Sequence, residues 1–372
     1  MRAIVTGQVG IDKKHYLDAV ARFAGEHGEP MQTYHVGDRM YEEAPDVNAG
    51  RILDLPLSRL AALRRAVFKD LISESAGERN IMVNTHATFR WRHGLFRAFD
   101  FDQIKKLEPD LFICLVDNAE AVDHRLQAEH TLDATLKDIM VWREEEILAT
   151  ELLAEAVGCG NRFYIVSRGR EQPTIDSCYR LVCRPNMRRV YPSFPMSHVV
   201  DMPDVLREID EFRAILAKRF ITFDPGDVDE KILLDNAIAA AKDARDFIES
   251  RSVGPDGKVT THQVSVKQVL DVAGDIDGQI YARDFKLIDQ SDMIVSFIPE
   301  LPGGIPGLSS GVERELQHAF EHSKEVYVVW KPAKNPSPFI TETATKVFKS
   351  TQEALDYFDH NGMFNPVSLF DA

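Results

Sequence analysis

Short apolar runs alternate with charged helical stretches along the whole chain, and that alternation restricts it to parallel sheets covered by helices. In the first half the runs fall at 3–6, 81–83, 111–116 and 163–166, with helical patterns over 13–27, 57–73 and 132–156. The second half restarts the pattern, with runs at 189–191, 220–223, 293–298 and 326–330. Helical patterns there cover 202–218, 229–250, 280–290 and 351–358, and Gly254, Pro255, Asp256 and Gly257 read as a turn. Pro185 and its polar neighbours interrupt both patterns. The expected fold is α/β: two tandem domains, 1–186 and 187–372, each a mostly parallel sheet flanked by helices. A chain of 372 residues is long enough to bury two cores.

A net charge of −15 argues against a surface that coats nucleic acid, but a few local cations suffice to hold a small nucleotide. Cys114, Cys159, Cys178 and Cys183 form no C-x-x-C pair, which reads as reduced thiols. No apolar run approaches the roughly 20 residues of a membrane span. Residues 1–5 lack a charged-then-apolar signal pattern, so a cytoplasmic location is expected. His86, His198 and His318 each stand without an obvious ligand partner, so no metal and no cofactor is expected.

The first run leads into Thr6-Gly7-Gln8-Val9-Gly10-Ile11-Asp12-Lys13-Lys14 and then a helix. A glycine loop between strand and helix suits phosphate, because backbone N–H groups and the helix N-terminus face the anion. With Val36-Gly37-Asp38-Arg39-Met40-Tyr41-Glu42, Asn84-Thr85-His86 and Glu108-Pro109-Asp110, this loop resembles the archaeal-type adenylate kinases over most of 1–182. The resemblance makes Gly7, Gly10 and Lys13 a weak nucleotide site and Arg125 and Arg143 remnants of an arginine-rich lid. Asp12 stands where the loop's last glycine belongs, Lys14 replaces the hydroxyl residue, and Asn84 replaces an acid. These departures predict a domain that folds without transferring phosphate.

Near the other end, Arg283-Asp284 precedes the apolar run 293–298, and Ser309-Ser310-Gly311-Val312-Glu313-Arg314-Glu315-Leu316 opens a helix. Acids at a helix start face its positive end, so a glutamate there is expected to stay ionised. The run Tyr-x-Arg-Asp-Phe…Ser-Asp-Met-Ile-Val…Ser-Ser-Gly-Val-x-x-Glu-Leu-x-x-Ala resembles the nucleoside 2-deoxyribosyltransferase superfamily, nearest its branch that hydrolyses deoxynucleoside 5′-monophosphates. The resemblance implies Glu315 as nucleophile, Asp284 as the sugar-orienting acid and Tyr191 as a donor to the nucleophile. Ser309, Ser310 and Gly311 would seat a phosphate, with Ser193 and Ser197 in the first loop as further contacts. The expected activity is hydrolysis of the N-glycosidic bond of a nucleoside or nucleoside 5′-monophosphate through a glycosyl-enzyme. Deoxyribosyl transfer, a non-catalytic nucleotide sensor and a bifunctional nucleotide kinase are the alternatives. The partner is a small nucleoside or nucleotide, and the family implies a homo-oligomer.

Overall fold

A computed structural model describes residues 1–372 except 49, 92–93, 131–133, 170–171, 197–198, 254–258 and 365–372. The α/β expectation holds: five parallel strands form a sheet in each of two compact units. The units are discontinuous, Met1–Cys183 with Val228–Gly278 and Arg184–Asp227 with Gln279–Ala372, and not a single division after residue 186.

In the first unit the strands lie in the order Gln32–His35, Ile81–Asn84, Arg2–Thr6, Leu111–Val116, Phe163–Ser167. Every residue of Leu111–Val116 is buried, as befits a parallel strand covered on both faces. Chain order reverses beside Arg2–Thr6, so its C-terminal end opens onto the crevice where such sheets bind ligands. The expected helix over 132–156 spans Leu136–Ala156, starting at a capping box between Thr135 and Asp138. Thr88–Trp91 and Gly94–Arg97 add an antiparallel hairpin that hydrophobic periodicity did not reveal.

The segment Val228–Gly278 belongs to this unit because its residues complete buried polar groups there. Glu230 sits opposite Arg143, and Asp229 N–H donates to the Asn118 side chain at 3.0 Å. The helix expected over 229–250 stops at Lys242, and Ala244 takes a left-handed φ of 52°. Phe247–Val253 then pairs antiparallel with Val259–Ser265. Alternation decides this: Ile248 is buried opposite Val264 while Phe247 and Glu249 face outward, a period of two that no helix can satisfy. The expected turn at 254–257 lies outside the described residues.

In the second unit the order is Lys346–Phe348, Glu325–Trp330, Met293–Ile298, Arg189–Ser193, Ile221–Thr222, all parallel. The order reverses between Arg189–Ser193 and Met293–Ile298, whose register pairs Tyr191 with Ile294 and Ser193 with Ser296. One face is packed by aromatics: Phe212 stacks on Phe297 with centroids 5.2 Å apart, and Phe358 meets Phe220 edge-on at 5.8 Å. Truncating one of these rings costs about 3–5 kcal/mol, since the cavity left behind adds to the lost burial.

Candidate functional site

The loop of the first unit joins the strand Arg2–Thr6 to the helix Lys13–Glu26, with Gly7, Gly10 and Asp12 at positive φ. Gly7 has φ 146°, and a side chain there would meet the Leu115 carbonyl at 2.8 Å. Asp12 takes the left-handed conformation (φ 58°, ψ 47°) at the place of the motif's last glycine. An L-residue does so at a cost of about 1–2 kcal/mol, and ion pairs hold it there. Its carboxylate lies 2.5 Å from His15 Nδ1 and 3.3 Å from Arg168. The Asp12 carboxylate is thus hydrogen-bonded to an imidazole and paired with the Arg168 guanidinium. Among the described residues no side chain caps the helix Lys13–Glu26, so its first-turn N–H groups remain available to an anion.

Lys13 is buried, its Nζ donating to the Gly7 carbonyl at 2.6 Å and lying 3.2 Å from His86 Nδ1. Burial pulls its pKa down to about 8, with Glu146 opposing the shift. Arg125 donates to the carbonyls of Gly10 and Ile11, both at 2.9 Å, and pairs with Asp117. Arg168, which no sequence motif singles out, donates to the Ile11 carbonyl at 2.6 Å. Both arginines thus brace the loop from outside. Arg143 is no lid residue: it is buried in a two-pronged pair with Glu230.

The metal positions are altered in structure as in sequence. Lys14 Nζ binds the Asp38 carboxylate at 2.5 Å, and Asn84 Nδ2 meets His35 Nδ1 at 3.0 Å. Neither a hydroxyl nor an acid stands where a P-loop kinase anchors Mg²⁺, so these two positions do not fit that ion.

Next to the loop lies a cavity of about 750 Å³, lined by Leu60, Arg64, Phe89, Phe96, Arg97 and Phe99 among others. It is linked to the loop through touching groups: Lys13 meets His86, and the His86 ring lies 5.0 Å from that of Phe89. Arg64 comes from the helix Leu57–Glu74 and is only 6% exposed, its guanidinium 5.7 Å from the Phe89 centroid. Burial lowers its pKa to about 10. Among the described residues it has no hydrogen bond or ion pair. The nearest acid, Asp100, is taken by Arg65 Nε at 2.9 Å and Gln103 N–H at 3.2 Å. A buried, uncompensated guanidinium facing a cavity is a receptor for an anion.

In the second unit the structure assembles most of the carboxylate site read from the sequence. Tyr191 O–H donates to Glu315 Oε1 at 3.1 Å and Ser193 Oγ to Oε2 at 2.6 Å, with Ser296 donating to Ser193 at 3.4 Å. These groups cluster at the point of strand-order reversal. Glu315 does not stay ionised as expected: burial and then the charge of Asp284 push its pKa up to about 8. The residue lies in the second turn of Ser310–Glu321, where the helix end no longer dominates. Ser309 Oγ accepts from Val312 N–H at 3.2 Å and so caps this helix, with Ser310 and Gly311 in its first turn. Glu313 is exposed. Phe194 packs in the core with Arg213 over its ring at 4.8 Å. Ser197 lies outside the described residues.

Comparison with known proteins bears on the first of these sites. A family model described as AAA domain matches residues 6–143. The adenylate kinases of Pyrococcus abyssi and Pyrococcus furiosus are 31% and 30% identical to this chain over 119 residues. That match covers 30% of this chain and 57% of each relative, so the chain spans little more than half their length. The crystal structure of shikimate kinase from Bacteroides thetaiotaomicron aligns with 49% of this chain and 95% of its own, at 15% identity and a TM-score of 0.32. Part of the N-terminal half is thus similar in sequence to adenylate kinases. These similarities overturn N-glycosidic hydrolysis as the reading of this chain. No helix among the described residues is long and apolar enough to cross a membrane.

Proposed function

We propose that the first unit is a nucleotide kinase module. A nucleoside triphosphate places its phosphates on the loop Gly7–Lys13, and an anionic acceptor of nucleoside monophosphate type occupies the Arg64 cavity. The single observation that carries this reading is the buried guanidinium of Arg64, which faces a cavity one ring contact away from Lys13. Arg64 meets the acceptor's phosphate, Phe89, Phe96 and Phe99 offer faces for its base, and Lys13 draws the donor's phosphates to the same rim. The relatives' name, adenylate kinase, agrees with an acceptor of this kind. Transfer depends on positioning and charge neutralisation: Lys13 supplies charge at the loop, while Arg125 and Arg168 hold the loop in place.

The test is calorimetric titration of the full chain with a nucleoside monophosphate and with ATP. Arg64→Ala is expected to weaken the monophosphate by about 10–100-fold, the value of a charge-assisted bond, and to leave ATP unchanged. Equal monophosphate affinity in the two proteins would remove the basis of the proposal.

A second reading, a nucleotide sensor without turnover, is favoured by Lys14 and Asn84 at the ion-anchoring positions. Binding of both ligands without phosphotransfer would decide for it. For the second unit, the site around Glu315 supports binding of a small nucleoside or nucleotide, in keeping with the sequence likeness of 187–372 to the deoxyribosyltransferases. No bond-breaking step is assigned to it.

A further inference from the structure

Within the second unit, the last turns of the helices Ala273–Asp289 and Ser310–Glu321 bring together three metal-ligating side chains away from Glu315. Asp289 ends the first helix, while His318 and His322 stand four residues apart at the end of the second. One ligand atom from each lies within 4.8 Å of the other two. His318 Nε2 is 2.7 Å from Asp289 Oδ1, and the two imidazole centroids are 4.0 Å apart.

The geometry points to a binding site for one divalent ion of the Zn²⁺ class, held by Asp289, His318 and His322. Two imidazoles and one carboxylate suit Zn²⁺, Co²⁺, Ni²⁺ or Cu²⁺ and not the oxygen-seeking Mg²⁺ or Ca²⁺. The rings are already oriented. His322 Nδ1 donates to the His318 carbonyl at 2.8 Å, which leaves Nε2 with its lone pair for the ion. Phe285 stacks on the His318 ring, centroids 4.3 Å apart and planes 16° from parallel. The carbonyl end of Ser310–Glu321 adds partial negative charge. The neighbouring cation, Lys324, is committed to the carbonyls of Asp289 and Ser291 at 2.6 and 2.7 Å.

Binding would exchange the proton shared by His318 and Asp289 for the ion, releasing that proton to solvent. Three protein ligands leave a fourth position for water. The ion would also clamp together the helix that carries Asp284 and the helix that carries Glu315. His318 and His322 show the His-x-x-x-His spacing in the sequence, whereas Asp289 joins them only in the fold.

The experiment uses the full chain without a histidine tag. Co²⁺ is titrated while its visible spectrum is recorded, and Zn²⁺ affinity is measured by competition with a chromophoric chelator. One equivalent of Co²⁺ should give d–d bands of a four-coordinate ion without thiolate charge transfer. His322→Ala and Asp289→Asn should each weaken Zn²⁺ by at least about tenfold, while circular dichroism stays that of the wild type. His322 and Asp289 are exposed, so these variants are expected to fold. Wild-type affinity in both variants, a thiolate band, or no stoichiometric uptake would each overturn the assignment.

Discussion

Arg143 and Glu230 form a two-pronged ion pair, Nη1 to Oε1 at 2.6 Å and Nη2 to Oε2 at 3.0 Å, with side chains only 3% and 1% exposed. Glu230 also accepts from Ala119 N–H at 3.0 Å, and Arg143 donates to the Asp117 carbonyl at 3.0 Å. The pair joins the helix Leu136–Ala156 to the helix Glu230–Lys242, which belongs to the same unit although the 44 residues Arg184–Asp227 of the other unit separate it from Cys183 in the chain.

Removing one partner strands the other charge. Glu230→Ala is expected to lower unfolding stability by about 3–5 kcal/mol, measured by urea denaturation. Arg143→Met with Glu230→Leu should recover most of that loss, because an apolar pair has no unpaired charge to desolvate. A fragment of residues 1–186 lacks Glu230 and is expected to be markedly less stable than the first unit in the full chain. A single-site loss below about 1 kcal/mol would contradict the buried pair.

On the proposed reading, the pKa of Lys13 sets the pH range of nucleotide binding. Burial lowers it from the ordinary 10.5 to about 8, so the ammonium that attracts phosphate is lost as pH rises through about 8. ATP affinity of the full chain should therefore fall between pH 7 and 9.5, well before an exposed lysine would titrate. Lys13→Ala should bind about 10–100-fold more weakly at pH 7 and lose the pH dependence. A flat wild-type profile to pH 9.5 would exclude Lys13 as the phosphate contact.

Glu315 makes an independent pH prediction for the second unit. Its folded pKa of about 8 lies above the ordinary 4.5, so the native state favours the proton. The stability this contributes is complete below about 4.5 and is lost as pH rises through about 8. Melting temperature should fall from pH 6 to 9 in the wild type and fall less in Glu315→Gln, whose amide stays neutral. Parallel curves for the two proteins would show that Glu315 is not held protonated.

The strands and helices that carry both sites were legible from periodicity, because buried parallel strands read as unbroken apolar runs. The contacts of Tyr191 with Glu315 were legible only through resemblance, since 124 residues separate them. Arg64 was invisible for a different reason: it stands among charged residues on an amphipathic helix, and nothing local marks it as inward-facing. That 228–278 groups with the first unit is not legible in the sequence, because the helical pattern at 229–242 reveals an apolar face but not what that face covers. Asp12 stands out in the sequence as a departure from the motif, but its contacts with His15 and Arg168 form only in the folded loop.

The central claim, a donor on Lys13 and an anionic acceptor on Arg64, is tested most directly by phosphotransfer. The full chain is incubated in magnesium-containing buffer with γ-labelled ATP and a panel of nucleoside monophosphates, and labelled diphosphate is quantified. The account predicts transfer to at least one monophosphate, abolished by Lys13→Ala. Arg64→Ala should raise the acceptor KM by about tenfold or more and leave the KM for ATP unchanged. Absence of transfer to every acceptor, or transfer that survives Lys13→Ala, would contradict it.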